Sequence, residues 1–188
     1  LAHARSLVNY RNLILDAPTQ TARLTTPGMR LDLGGIGKGY AAQEAVELLT
    51  SRGTPRCLVA LAGDIVAGDP PPGASGWTVS INGEQGPEER PATLSLARAA
   101  VSTSGDTAQF VEIDGRRYSH ICDPRTGLGI QARRSVTVVA PRGELSDALA
   151  TAACILGLRD TLPILAGSPD TAAVFQLLRG DAVITDTF

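Results

Sequence analysis

Ser119-His120-Ile121-Cys122-Asp123-Pro124-Arg125-Thr126-Gly127 joins a strand-like run, residues 110–118, to a turn rich in proline and glycine. Proline presets one backbone dihedral and glycine supplies the left-handed one, so the segment predicts a strand that ends in a tight turn. His120 is one of two histidines, and an imidazole at a sheet edge can donate or accept a proton near neutral pH. An ordinary exposed turn with a solvated histidine explains the same residues.

Alternation of apolar and polar residues extends the strand pattern along the chain. It predicts strands at residues 13–16, 22–25, 57–61, 77–81, 92–95, 110–113, 135–140 and 172–178. Helical spacing predicts helices at 39–51, 146–156 and 159–165, and residues 84–91 are predicted to be a loop. Strands outnumber helices and hairpin-like neighbours are common, so the predicted fold is a single α+β domain, residues 1–188, with a mostly antiparallel sheet.

The first predicted helix has one apolar face, formed by Ala41, Ala45, Val46, Leu48 and Leu49. Such a face is typical of a helix that packs one side against a core.

Composition excludes several classes of function. The net charge is -2 and the basic residues do not cluster, which argues against nucleic acid as a partner. Aromatic residues make up only 4%, which argues against base stacking as well. No apolar run is long enough to span a bilayer. Cys57, Cys122 and Cys154 lack the spacing of a zinc site and are interpreted as structural thiols.

A glycine-rich junction, Leu31-Asp32-Leu33-Gly34-Gly35-Ile36-Gly37-Lys38-Gly39-Tyr40, precedes the first helix. Its glycines allow a close approach to a ligand, and a helix N-terminus offers amides to an anion. The spacing matches neither the Rossmann pattern nor the P-loop. Both a phosphate loop and a tight strand-to-helix turn are compatible with it.

Two further junctions carry polar residues. Leu61-Ala62-Gly63-Asp64 is typical of a β-turn in which the aspartate bonds its own backbone. Ser102-Thr103-Ser104-Gly105-Asp106 is interpreted as a turn whose hydroxyls and amides could bind phosphate oxygens. A plain surface turn explains the second segment too.

Ser146, Asp147 and Thr151 lie at the start of the second predicted helix. Ser146 is suited to an N-cap, and Asp147 complements the helix dipole. Asp147 and Thr151 are four residues apart and share one face, so their oxygens also suit a hard cation such as Mg²⁺.

Taken in order, these segments closely resemble the ApbE family of FAD:protein FMN transferases. The motifs that carry the resemblance are Asp32-Leu-Gly-Gly-Ile-Gly-Lys-Gly-Tyr40, Leu61-Ala-Gly-Asp64, Ser102-Thr-Ser-Gly-Asp106, His120-Ile-Cys-Asp-Pro-Arg-Thr-Gly127 and Asp147-Ala-Leu-Ala-Thr151. The resemblance implies a T-fold-like α+β architecture. It also implies a magnesium-dependent reaction that cleaves FAD, attaches FMN through a phosphoester bond to a threonine of an acceptor flavoprotein, and releases AMP.

The resemblance also implies roles for individual residues. His120 and Asp147 would be catalytic, with His120 beside the phosphates, where it positions them or handles the threonine proton. Asp147, Thr151 and the backbone carbonyl near Gly37 would bind the magnesium ion. FAD would be bound by Gly35, Gly37, Lys38, Thr103, Ser104, Gly105 and His120.

Departures from the family pattern keep alternatives open. The match begins partway along that pattern, so we expect the chain to lack the usual N-terminal part of the family. In the family, that segment contributes to the FAD pocket, and membrane association would arise only through an anchor on it, in a periplasmic or extracytoplasmic location. Ala62 replaces a usual glycine, Gln43 a common aspartate and Thr107 a common tyrosine. A truncated non-catalytic FAD-binding module and an FAD pyrophosphatase are the alternative functions.

Overall fold

The computed structural model describes residues 2–81, 92–105, 109–179 and 182–188. Its helices are α1 Ala2–Ser6, α2 Gly37–Ser51, α3 Gly143–Leu156 and α4 Leu158–Ala166, with a 3-10 turn at Tyr10–Asn12. Its strands are β1 Leu13–Asp16, β2 Thr21–Leu24, β3 Leu58–Leu61, β4 Asp64–Ala67, β5 Trp77–Ile81, β6 Ala92–Leu96, β7 Ala99–Gly105, β8 Phe110–Ile113, β9 Arg116–Ser119, β10 Cys122–Asp123, β11 Leu128–Gly129, β12 Arg134–Ala140, β13 Ala172–Arg179 and β14 Ala182–Thr187. None of the helices in these ranges is long and apolar enough to cross a membrane.

Six strands form the central sheet, in the order β14-β13-β12-β7-β4-β3. Every neighbouring pair in it is antiparallel. The remaining strands form four two-stranded hairpins, β1-β2, β5-β6, β8-β9 and β10-β11. The predicted α+β class with a mostly antiparallel sheet is therefore confirmed.

Helices cover one face of the central sheet. Val136, Val138 and Ala140 of β12 pack with Leu149 and Ala153 of α3. Side chains alternate between the two faces of a strand, so the odd-numbered residues of β12 point the other way. Val139 accordingly packs in a separate cluster with the β5-β6 hairpin. The sheet is thus a layer between two helices and a hairpin.

Strand β7 corrects the interpretation of residues 102–106 as a turn. The segment through Gly105 is a central strand, paired with β12 on one side and β4 on the other. Its hydroxyl side chains have partners within the fold, so they need no contact with solvent. Thr103, for example, bonds Thr137 with 2.8 Å between the two Oγ1 atoms. Asp106 and Thr107 lie outside the described residues, as does the predicted loop at 84–91.

The predicted apolar face of α2 is largely wrong. Val46 is buried, but Leu48 and Leu49 are 54% and 38% exposed. The buried residues of α2 are instead Gly39, Ala42, Gln43 and Val46. Two glycines decide the orientation, because Gly39 contacts Gly143 of α3 backbone to backbone and turns the small residues inward.

Ser146 is not the N-cap of α3. The helix begins one turn earlier, at Gly143, and its N-cap residue is Arg142. The missing side-chain cap comes from another helix, since the Gly143 amide donates to Oε1 of Gln43 at 3.0 Å. Ser146 lies inside the helix and donates back to the Gly143 carbonyl.

Candidate functional site

A two-residue hairpin turn between β3 and β4 positions Asp64. Leu61 pairs with Asp64 across the turn, and the two central residues, Ala62 and Gly63, have φ angles of 47° and 100°. Positive φ at both positions is the type I′ geometry that suits a tight hairpin. Asp64 therefore begins β4 with its side chain buried, only 3% exposed.

The glycine-rich segment before α2 is a tight turn in which three glycine amides already have partners. The Gly34 amide donates to Oδ1 of Asp32 at 2.7 Å. The Gly37 amide donates to the Leu33 carbonyl, also at 2.7 Å. The Gly39 amide donates to Oδ2 of Asp147 at 3.0 Å. All three amides are hydrogen-bonded within the protein. For these amides, a tight strand-to-helix turn is therefore a better description than a phosphate loop.

Lys38 connects this turn to two buried carboxylates. Its Nζ lies 3.1 Å from Oδ2 of Asp64 and 3.3 Å from Oδ1 of Asp147. It also donates to the Gly34 carbonyl at 3.2 Å. The ammonium has three N–H donors, and they face three groups, the two carboxylates and the Gly34 carbonyl. We call Lys38, Asp64 and Asp147 the charge cluster.

Burial and neighbouring charges shift the pKa values of Lys38 and Asp64. Burial raises the pKa of Asp64, the Lys38 hydrogen bond opposes this, and the nearby charge of Asp147 raises it further. Partial burial lowers the pKa of Lys38, but the two carboxylates outweigh it, so the pKa of Lys38 is raised. Lys38 is therefore an ammonium at neutral pH. Oδ2 of Asp64 is buried and lies within ion-pair distance of the Lys38 ammonium.

Asp147 is 1% exposed and is positioned by the contact between α2 and α3. A Cβ on Gly39 would lie 2.8 Å from the Cβ of Asp147. The glycine lets the start of α2 rest directly on α3, so the Asp147 carboxylate accepts the Gly39 amide. A carboxylate at a helix N-terminus is favourable, because it neutralises the positive end of the dipole.

Thr151 and Ser104 meet beside the charge cluster. Their hydroxyl oxygens are 3.0 Å apart, which links α3 to β7. One turn earlier, Ser146 bonds Ser102 with 2.8 Å between the two Oγ atoms. Gly35 packs against Thr151, because a Cβ there would lie 3.1 Å from its Cγ2. The glycine-rich turn thus closes over the face of α3 that carries Asp147 and Thr151.

A cavity of about 800 Å³ opens in front of this face. It lies between the glycine-rich turn, the end of β7, helix α3 and the segment that carries His120. The residues of the sequence prediction that line it are Gly35, Lys38, Thr103, Ser104, Gly105, His120 and Thr151. Within the described part of the chain, Gly37 and Asp147 lie outside its lining. A cavity of this size is within the range that accommodates a small-molecule ligand.

His120 lies at the cavity wall with its ring exposed. Its Nδ1 is 3.0 Å from the Gln109 carbonyl, which also accepts the His120 amide at 3.1 Å. A carbonyl can only accept, so Nδ1 carries the proton and the neutral imidazole keeps a lone pair on Nε2. Nε2 is therefore the nitrogen available as a base.

The turn after His120 has the geometry that its sequence predicted. The amides of Thr126 and Gly127 both donate to the Asp123 carbonyl, at 3.1 and 2.7 Å. Gly127 has a φ of 72°, in the left-handed region. The Arg125 guanidinium bonds both oxygens of the Asp123 carboxylate and lowers its pKa. These hydrogen bonds fix the turn that follows His120.

The oxygen donors around Asp147 fit a hard cation. Asp147 has a carboxylate, Thr151 a hydroxyl, and the Gly34 carbonyl shares the Lys38 ammonium with Asp147. Among the described residues, no group of three His, Cys, Asp or Glu side chains forms a metal site. A cation here would depend on one or two carboxylates plus the phosphates of a ligand, which is how proteins commonly bind Mg²⁺.

Asp64 is the residue that sequence reasoning missed. Its motif stands out in the sequence, but the pattern favours a turn residue that bonds its own backbone. Asp64 instead begins a buried strand and pairs with Lys38, 26 positions earlier in the chain. The sequence does contain a pattern that could have found it. Ala62-Gly63 is a two-residue turn between two strands, and such a turn places the next residue, Asp64, back in the sheet.

Relatives of known activity match this chain in sequence. The model of the ApbE family matches residues 1–175. The FAD:protein FMN transferase of Treponema pallidum is 38% identical over 180 residues, covering 88% of this chain and 50% of the relative. The enzyme of the same description from Salmonella typhimurium is 30% identical over 183 residues, covering 95% and 51%. The chain thus spans about half the length of these curated relatives.

Solved structures match over nearly the whole chain. The apo form of the flavinyl transferase ApbE of Pseudomonas stutzeri aligns with a TM-score of 0.82 and 30% identity, covering 99% of this chain and 57% of that one. The ApbE protein of Thermotoga maritima aligns with a TM-score of 0.81 and 28% identity, covering 97% and 59%. The backbone arrangement around the cavity therefore belongs to a fold found in flavin transferases.

Proposed function

Because the chain belongs to the ApbE family, we propose that it carries the catalytic centre of a magnesium-dependent FAD:protein FMN transferase. The substrate is FAD, and the acceptor is a threonine hydroxyl on a flavoprotein. The threonine oxygen attacks the phosphorus on the FMN side of the pyrophosphate. The bond to the bridging oxygen breaks, AMP leaves with that oxygen, and FMN remains attached through a phosphoester bond.

The cavity beside the charge cluster is the proposed binding site for the pyrophosphate. Lys38 lines it and offers an ammonium to a doubly charged group. Thr103, Ser104 and Gly105, at the end of β7, form another wall together with Gly35. Fixed positive charge near the bridging oxygen favours its departure, because negative charge develops there as the bond breaks.

His120 is the proposed general base. Its Nδ1–H is engaged by the Gln109 carbonyl, which leaves the Nε2 lone pair to accept the proton of the threonine hydroxyl as the new P–O bond forms. Proton transfer by a positioned side chain typically contributes about 10²–10⁴-fold to the rate.

Magnesium would be bound by Asp147, Thr151 and the carbonyl near Gly37. When bound, it neutralises phosphate charge and acts as a Lewis acid. Asp147 and Thr151 are both on α3, and the donor types suit the ion. We place the reaction outside the cytoplasmic membrane, as the family resemblance implies.

The observation that carries this proposal is the meeting of Lys38, Thr151, Ser104 and His120 around one cavity, from four segments distant in sequence. Two alternatives use the same cavity. In an FAD pyrophosphatase, water replaces the threonine hydroxyl. In a non-catalytic FAD-binding module, FAD binds and remains intact.

The deciding experiment incubates the chain with FAD, Mg²⁺ and a purified acceptor domain, with an EDTA arm and an Asp147→Asn variant. A transferase gives AMP and an acceptor whose mass increases by FMN, both lost with EDTA and with the variant. AMP and free FMN without acceptor labelling would identify a pyrophosphatase. Bound, intact FAD would identify a binding module.

A further inference from the structure

Lys38 occupies the place at Asp147 where a metal ion would be expected. Its Nζ contacts both carboxylate oxygens of Asp147, at 3.3 and 3.5 Å. Lys38 lines the cavity, whereas Asp147 is 1% exposed. A cation that approaches Asp147 from the cavity therefore meets the ammonium first.

The two positive charges cannot both stay against Asp147. Like charges repel, and a divalent ion repels the ammonium twice as strongly as a unit charge at the same distance. The ammonium must withdraw when the metal binds. The other carboxylate within its reach is Asp64, whose buried Oδ2 is 3.1 Å away.

We propose that Lys38 is a tethered cation that competes with the divalent metal for Asp147, and that Asp64 is a positioning residue that retains Lys38 when the metal binds. This inference rests on the proposed metal site at Asp147. It assigns a role to Asp64 and a second role to Lys38, beyond contact with FAD. In the metal-free protein, Lys38 balances two buried carboxylates that would otherwise repel each other.

Substitutions of the two partners of this ion pair should change metal affinity in opposite directions. In Lys38→Met the cation that competes for Asp147 is gone, so Mg²⁺ should bind about tenfold more tightly. In Asp64→Asn the ammonium loses its alternative carboxylate and stays on Asp147, so Mg²⁺ should bind about tenfold more weakly, a typical effect for a partner of a metal ligand. The double variant should bind like Lys38→Met, because Asp64 acts only through Lys38.

The test is titration of the full 188-residue chain with Mg²⁺ alone by calorimetry and with Mn²⁺ by electron paramagnetic resonance, without FAD. Circular dichroism checks that each variant is folded, and Lys38→Gln replaces Lys38→Met if the latter does not fold. A merely structural ion pair would weaken metal binding in both single variants. That result, or unchanged affinity in Asp64→Asn, would overturn the proposal.

Asp147→Asn separates this inference from the proposed function. Metal binding that is unaffected by Asp147→Asn, or absent from both the wild type and Lys38→Met, would overturn the competition at Asp147. If the opposite shifts occur but FAD is never cleaved, the tethered-cation role stands and the transferase proposal fails.

Discussion

Gly39 and Gly143 are in backbone contact where α2 meets α3. An added Cβ on Gly39 would lie 2.0 Å from the Gly143 carbonyl oxygen, and one on Gly143 would lie 2.2 Å from the Gly39 carbonyl oxygen. Neither neighbour is the end of a flexible side chain, so neither can move aside alone. The contact brings the Gly39 amide to Asp147 and thereby assembles the charge cluster.

Gly39→Ala should strongly destabilise the protein. The methyl group would force the two helices apart, which costs about 3 kcal/mol or more when backbone must shift in a packed interior. Denaturant unfolding followed by circular dichroism measures the change in the free energy of unfolding.

Gly37→Ala is the matched control for that substitution. It lies two residues away on the same helix, and its added Cβ would meet only the Leu33 Cβ, at an ordinary 3.4 Å. Removing a helical glycine should change stability by no more than about 1 kcal/mol, in the stabilising direction. If both variants lost the same free energy of unfolding, α2 and α3 would be farther apart at Gly39 and Gly143 than described.

The period-two pattern predicted eight of the described strands, and it missed β4, β7, β9, β10, β11 and β14. Strands β1, β5 and β8 begin and end where the alternation predicts. Strand β7 was missed because its inward residues are serines that bond α3, so polarity there does not mean exposure. The orientation of α2 was missed because it depends on a glycine contact 104 positions away in sequence.

Ala62→Gly should stabilise the protein. Ala62 has a φ of 47°, and the left-handed conformation costs a residue with a Cβ about 1–2 kcal/mol. Part of the gain is offset because glycine makes the unfolded chain more flexible, so we expect a net increase of about 0.5–1 kcal/mol. Thermal and urea unfolding measure this increase in the free energy of unfolding.

Ala60→Gly serves as the control in the preceding strand. Ala60 lies in the regular part of β3, where glycine should destabilise by about 0.5–1 kcal/mol. A loss of stability in Ala62→Gly as well would mean that the Ala62 methyl group makes a contact that outweighs its backbone strain.

Candidate site residues differ in how far sequence could assign them. His120, Lys38 and Thr151 belong to motifs, and the cavity they line was a reasonable expectation. The pairing of Lys38 with Asp64 was not, because it depends on the length of the turn, which makes Asp64 the first residue of β4. Long-range ion pairs leave no periodic pattern in a sequence.

The turn after His120 should give a measurable pH dependence of stability. Hydrogen bonds from Arg125 lower the pKa of Asp123 in the folded protein. A lowered pKa stabilises the fold above the unfolded-state value, about 3.9 for aspartate, and the contribution is lost as the pH falls through the folded-state value. Asp123→Asn should therefore be less stable than the wild type at neutral pH, and the difference should shrink in acid.

Urea unfolding of the wild type and Asp123→Asn from about pH 7 to about pH 3 checks this sign. The asparagine side-chain oxygen of the variant can still accept the Arg125 amide, so the turn itself is preserved. A difference that stays constant over this range would assign the effect to turn geometry and not to the Asp123 charge.

His120→Asn should reduce turnover while leaving FAD binding nearly intact. The asparagine amide can still donate to the Gln109 carbonyl, which His120 Nδ1 contacts at 3.0 Å, but it provides no base at the Nε2 position. We expect kcat for AMP release to fall about 10²–10⁴-fold, with KM for FAD changed little. His3→Asn is the matched control, because His3 is the other histidine, is exposed and lies on α1. A rise in KM at constant kcat would instead make His120 a residue that positions the phosphates, since lost ground-state binding raises KM alone.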